Sequence, residues 1–262
     1  MGSKTSKAKR PVITTPRTPQ DIIDEILDHL AADSDFESLR ACALVSRSWV
    51  PSCRRHLFHT ADLTRGRMDR WLYAFPVPEE SPAYYVRALH ISIEGINWFP
   101  DEFFEHAPRF TNVRKLSLFG GKDCLVSRLP SLWKLPESVT SLTIDASNGV
   151  SLVPILDSMA RLPNLDDLSL RGRVISADSS ALPGIWMVPR RRFGGKLELR
   201  DVYLDHISIL LELLTGSQFS KVEVDCTREH IPSVIRLVEA CSKTIVKLSL
   251  NVRFGGKYHP FF

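Results

Sequence analysis

The chain has 262 residues, 44% of them apolar, and a formal charge of +4. That charge belongs to a tail: Lys4, Lys7, Lys9, Arg10 and Arg17 lie within residues 1–20 with no acid among them, and removing their +5 leaves −1 for the rest. A near-neutral body argues against nucleic-acid binding, and no stretch of sequence approaches a membrane span, since the apolar run Ile207–Leu214 is short and interrupted by Glu212.

Residues 1–17 read as a disordered basic tail. Met1-Gly2-Ser3-Lys4-Thr5-Ser6 fits the acceptor pattern for N-myristoylation at Gly2, with Lys7, Lys9 and Arg10 following. An acyl chain beside a basic cluster holds a membrane usefully, whereas one chain alone does so only marginally. Membrane attachment is therefore expected only if Gly2 is acylated. A plain basic tail, or a nuclear-import stretch around Lys7–Arg10, is the alternative. No apolar core follows the charges, so the tail is not a secretory signal. Five cysteines (Cys42, Cys53, Cys124, Cys226, Cys241) make an odd count without a C-x-x-C pair. That usage fits a reduced intracellular protein, cytoplasmic or nuclear.

Residues 18–57 hold three short helical segments. Thr18-Pro19-Gln20-Asp21 reads as a helix start, with Thr18 as N-cap and Pro19 at the first helical position. Ile22, Ile23, Ile26, Leu27 and Leu30 cover more than one stripe of that helix. A second start at Ser34-Asp35-Phe36-Glu37 leads into Leu39 and Cys42, and a third segment holds Leu44, Val45, Trp49, Val50 and Cys53. Some forty residues cannot enclose so many large apolar groups. Several must face a partner, with Ile26, Leu30 and Trp49 as natural anchors.

This segment, from Pro19 through Ile22, Ile26, Leu27, Leu30, Leu39, Leu44, Val45, Ser46 and Arg47 to Trp49, resembles an F-box. Thr18 departs from that family's usual leucine. The whole chain resembles, more weakly, the fungal F-box proteins that continue into leucine-rich repeats. The resemblance implies that Pro19, Ile22, Ile26, Leu27, Leu30, Leu44, Val45 and Trp49 bind a Skp-type adaptor and, through it, a cullin and a RING protein. It implies a substrate receptor with no catalytic residue of its own.

After a helical linker over 59–85, which includes Arg67–Phe75, a beat begins. The pattern apolar-x-x-apolar-x-apolar recurs as Val86-Leu89-Ile91, Val113-Leu116-Leu118, Val139-Leu142-Ile144, Leu165-Leu168-Leu170, Phe219-Val222-Val224 and Ile245-Leu248-Leu250, with a degenerate copy at Leu197-Leu199. Steps between the central residues are 27, 26, 26, 29, 25 and 26. A period in the twenties with one short strand per unit is the signature of a leucine-rich solenoid. Leu152–Ala160, Leu204–Leu214 and Ile231–Cys241 carry helical spacing, while Gly120–Leu135 and Ser176–Gly195 carry Gly, Pro and Ser and are expected as irregular turns. The expected fold class is thus α/β: an N-terminal three-helix unit over 18–58, the linker, and a curved solenoid over 86–262 with a parallel sheet on its concave side.

The residues between the buried apolar positions line the candidate substrate face. They are His90, Lys115, Ser117, Thr143, Asp145, Asp167, Ser169, Arg171, Glu198, Arg200, Glu223, Asp225, Ser249 and Asn251. Such a mixed-sign wall suits a specific protein substrate better than a general anion. Arg190–Arg192 is read as a solvated loop, or as a contact for phosphate or an acidic partner. Cys53-x-x-His56-x-x-His59 lacks a second cluster to complete a tetrahedral site, so no metal is expected. No cofactor fingerprint or nucleophile motif occurs. The apolar end Pro260-Phe261-Phe262 is unlike the polar cap of a terminal repeat and reads as a shortened product or a buried tail. A rival reading of the chain is a non-enzymatic repeat scaffold, membrane-attached if Gly2 is acylated.

Overall fold

A computed structural model describes residues 18–64, 66–92, 101–120, 137–151, 162–175, 194–200 and 218–253. Gly2, the helices expected over 152–160 and 204–214, nearly all of the irregular connectors, Arg190–Arg192 and the apolar end lie outside these. The chain divides into two compact units, Met1–Leu57 and Phe58–Phe262.

The first unit holds α1 (Gln20–Ala32), α2 (Phe36–Val45) and α3 (Val50–Leu57). The start of α1 differs from expectation by one residue. Pro19, not Thr18, is the N-cap, because its carbonyl accepts from the Ile23 N–H at 3.3 Å and so begins the ladder. Helix α2 starts as expected: the Asp35 carboxylate caps it by accepting from the Ser38 N–H at 3.0 Å. Ser34, with φ 59°, makes the left-handed reversal between the two helices. Ile23, Leu27, Leu39 and Cys53 form the core, with Leu30, Cys42, Trp49 and Leu57 packed around it.

The second unit is built on an eight-stranded parallel sheet in strict sequence order. Its strands are β1 (Thr60–Leu63), β2 (Ala88–Ser92), β3 (Lys115–Phe119), β4 (Ser141–Ser151), β5 (Asp167–Ile175), β6 (Lys196–Arg200), β7 (Lys221–Thr227) and β8 (Lys247–Arg253). The seven central residues of the beat stand opposite one another: Leu89, Leu116, Leu142, Leu168, Leu197, Val222 and Leu248 form one register row. Alternation sends these and their i+2 neighbours to one side. From Leu89 to Val224 every member of the two rows is at most 4% exposed.

The entries to β2, β3, β4, β5, β7 and β8 repeat one device. His59 O accepts from both Arg87 and Ala88, Arg87 O from Arg114 and Lys115, Arg114 O from Thr140 and Ser141, and Ser220 O from Val246 and Lys247. A doubly used carbonyl ties each turn to the next and holds the period. Asn112 and Asn164 add side-chain bonds to the carbonyls of Tyr84 and Glu137, at 2.9 and 2.7 Å.

One expectation is corrected here. Residues 59–85 were expected to be a helical linker, yet Thr60–Leu63 is a strand, paired with β2 through Ala61↔Leu89 and Leu63↔Ile91. Ala61 and Leu63 are buried while Thr60 and Asp62 alternate with them. The linker's helical part is α4 (Arg67–Ala74), entered through Gly66 at φ 74°. Helix α5 (Asp101–His106) and helix α6 (Ile231–Ala240) complete the described helices; α6 matches the expected Ile231–Cys241 pattern and buries Val234 and Leu237.

Phe103 and Phe110 are fully buried, and the Phe110 ring lies tilted against both Phe103 and Trp71, with centroids 6.2 and 5.8 Å away. Truncating Phe103 to alanine is expected to cost about 3–5 kcal/mol. Urea denaturation read by circular dichroism checks this; an unchanged midpoint would contradict the packing.

Candidate functional site

Two surfaces carry the residues singled out in the sequence, one on each unit. On the helical unit, α1 places Ile22 and Ile26 four residues apart on one face, 46% and 44% exposed, while Ile23 and Leu27 turn inward. Leu44 and Val45 at the end of α2 are 88% and 68% exposed. Pro19 is exposed; Leu30 and Trp49 are half-buried against the core. Trp49 also lines a cavity of about 580 Å³ with Thr18, Gln20, Ile23, Ser46, Arg47 and Ser48.

Leu27 requires a correction. It is completely enclosed by the unit's own core and cannot be an adaptor contact on this surface. Phe36, which had no assigned role, is exposed instead. It is the first residue of α2, whereas Leu39 three positions on is enclosed in the core. Cys53 belongs to the core, and His56 Nε2 lies 2.9 Å from Asp28 Oδ1.

On the sheet unit, the polar residues of the strands share the face opposite the core. His90, Ser117, Thr143, Ser169 and Glu198 stand in one register row, as do Glu223 and Ser249 after them. Asp145, Arg171 and Arg200 form the row beside it, and Asp225 stands opposite Asn251. Lys115 stands opposite Ser141, which in turn stands opposite Asp167. The structure therefore brings all fourteen candidate residues to one face, although Glu198 is only 4% exposed rather than open to solvent. His90 is half-buried beside the Phe119 ring, and that burial pushes its imidazole pKa down.

Glu198 is buried because cations cover it. Its carboxylate takes Arg171 at 3.0 Å, Lys196 at 2.7 Å and Arg200 at 2.6 Å. Lys196 reaches on to Glu223 at 2.9 Å, and Lys221 meets Glu223 at 2.8 Å. Burial alone would raise the Glu198 pKa, but the Lys196 hydrogen bond and the surrounding cations outweigh it and hold the acid below its ordinary range. The hydrogen bonds from Lys221 and Lys196 lower Glu223 from 4.5 to about 2. Two saturated, ionised carboxylates are poor proton acceptors, and Glu198, covered by Arg171, Lys196 and Arg200, holds those cations in place and is not itself an open substrate contact. Asp167 props the network from below, accepting from the Lys196 N–H at 2.7 Å, and a side chain at Gly195 would run into that carboxylate.

A carboxylate whose folded pKa is depressed stabilises the fold above its unfolded value and loses that contribution as pH falls through the folded one. The sheet unit is thus expected to lose stability between pH 4.5 and about 2, and Glu223→Gln should flatten that part of the profile. Denaturation midpoints across the window test it; parallel wild-type and variant profiles would contradict it.

Among the described residues no helix is long and apolar enough to cross a membrane. No family model matches the chain, and no curated protein matches it.

Proposed function

We propose that the chain is the substrate-recognition subunit of an SCF-type ubiquitin ligase. The helical unit, read as an F-box, docks on a Skp-type adaptor and through it on a cullin and a RING protein. The strands and their connections, read as leucine-rich repeats, hold a protein substrate on their polar face. The chain performs no chemistry in this reading. It raises the effective concentration of a substrate lysine near the charged conjugating enzyme.

The observation that carries the reading is the exposure of Ile22, Ile26, Leu44 and Val45 on a unit whose buried core, among the described residues, is Ile23, Leu27, Leu39 and Cys53. Large aliphatic groups left open to solvent suit a partner's groove. The in-register beat supports the repeat reading. Affinity purification of the tagged chain from cells is expected to recover a Skp-type adaptor and a cullin, and Ile26→Asp or Trp49→Ala to lose both. A wild-type chain that recovers neither leaves only a repeat scaffold that binds its partner without ubiquitin transfer.

A further inference from the structure

The two edges of the sheet differ. At one edge, β1 has four residues, and its inward Ala61 and Leu63 are 3% and 2% exposed. At the other, β8 has seven residues, and Leu248 and Leu250 are 42% and 47% exposed; Val246 just before it is 88% exposed. Among the described residues β8 pairs on one side only, with β7. A long strand paired on one side only among the described residues, with an open apolar row, is a template for another strand.

The backbone directions say how a second strand fits. The Lys247 N–H donates to Ser220 O at 3.1 Å, toward β7. In a parallel ladder alternate residues face the same neighbour, so 247, 249 and 251 turn their N–H and C=O groups inward, and Leu248, Leu250 and Val252 turn theirs to the open edge. In an antiparallel pair of two β8 strands with a two-fold axis at Ser249, Leu248 exchanges both hydrogen bonds with the second copy's residue 250. Ser249 then meets its own symmetry mate as a non-hydrogen-bonded pair.

The side chains fit the same register. Val246 meets residue 252 of the second copy and Leu248 meets residue 250, so every apolar residue stays on the core side. Lys247 meets residue 251, an asparagine, so no like charges stand opposite each other. A one-residue slip of the pairing turns one copy's apolar row to the solvent side. Moving the axis to residue 250 sets Lys247 against Arg253 twice, an unfavourable cross-strand pair.

We propose that the chain forms a two-fold dimer by antiparallel pairing of β8 with β8 of a second copy, centred on Ser249. This goes beyond the ligase reading and does not depend on it. Sedimentation velocity of the full chain from about 1 to about 100 μM should show a concentration-dependent dimer. Ser249 is exposed, so Ser249→Lys and Ser249→Glu leave the monomer folded by circular dichroism. Each places two like charges at the axis and should weaken the dimer by about fivefold or more, while an equimolar mixture of the two should restore it. Ser249→Cys should cross-link to itself on mild oxidation, with a 249–249 peptide in the digest. A wild type monomeric throughout the range overturns the proposal. So does a dimer that the Ser249 variants leave unchanged, or an open-ended oligomer.

Discussion

Leu27→Ala unfolds the helical unit, while Asp in place of its neighbour Ile26 leaves it folded. Leu27 is completely buried with Ile23, Leu39 and Cys53 and joins that core from the middle of α1. A buried Leu→Ala change costs about 2–5 kcal/mol. A unit of about forty residues has a margin of only about 3–5 kcal/mol at best, so that loss consumes it. Ile26 is 44% exposed, and an aspartate there keeps its charge in water. Amide exchange separates the two: Leu27→Ala should remove protection across 20–57, and Ile26→Asp should leave it close to wild type. Equal loss in both variants contradicts the division of α1 into a core face and an open face.

Glu198→Ala is the second large effect. Arg171, Lys196 and Arg200 all converge on this carboxylate, whose side chain is 6% exposed. Without it, three cations lose their shared partner, and Lys196 and Arg200 keep Glu223. Those cations are 31–48% exposed, so water takes up part of the charge left behind, and the loss costs about 1–3 kcal/mol. Arg171→Ala, by contrast, removes a partner that is 44% exposed, and such pairs contribute about 1 kcal/mol or less. The denaturation midpoint should therefore fall further for Glu198→Ala than for Arg171→Ala. Similar small shifts in both would mean that the network is a solvated surface and not a keyed one.

The strands were readable because a repeat constrains its own register. Six spacings in the twenties, centred on Leu89 to Leu248, had one simple arrangement, and the seven residues do stand in one row. The eighth strand was missed for a local reason. Phe58-x-x-Ala61-x-Leu63 carries the same beat 28 residues before Leu89, but an alanine at its centre gives a weak apolar signal. Within α1, five apolar residues spread over more than one stripe, and spacing alone did not say which stripe turns inward. Packing by Leu39 and Cys53 decides that, and so Leu27 was assigned to the wrong side. The burial of Glu198 was beyond sequence reasoning for a similar cause. Its cover comes from Arg171, a strand away, and from Lys196 and Arg200 two residues to either side.

The most direct test is a calorimetric titration of the purified full chain with a purified Skp-type adaptor. One-to-one binding is expected, with amide protection appearing at 19–30 and 44–49. Ile26→Asp should weaken it by about thirtyfold or more, as loss of an aliphatic anchor does. Absence of heat and of protection with the wild type, or binding that Ile26→Asp leaves intact, contradicts the assignment of this open apolar face to the adaptor.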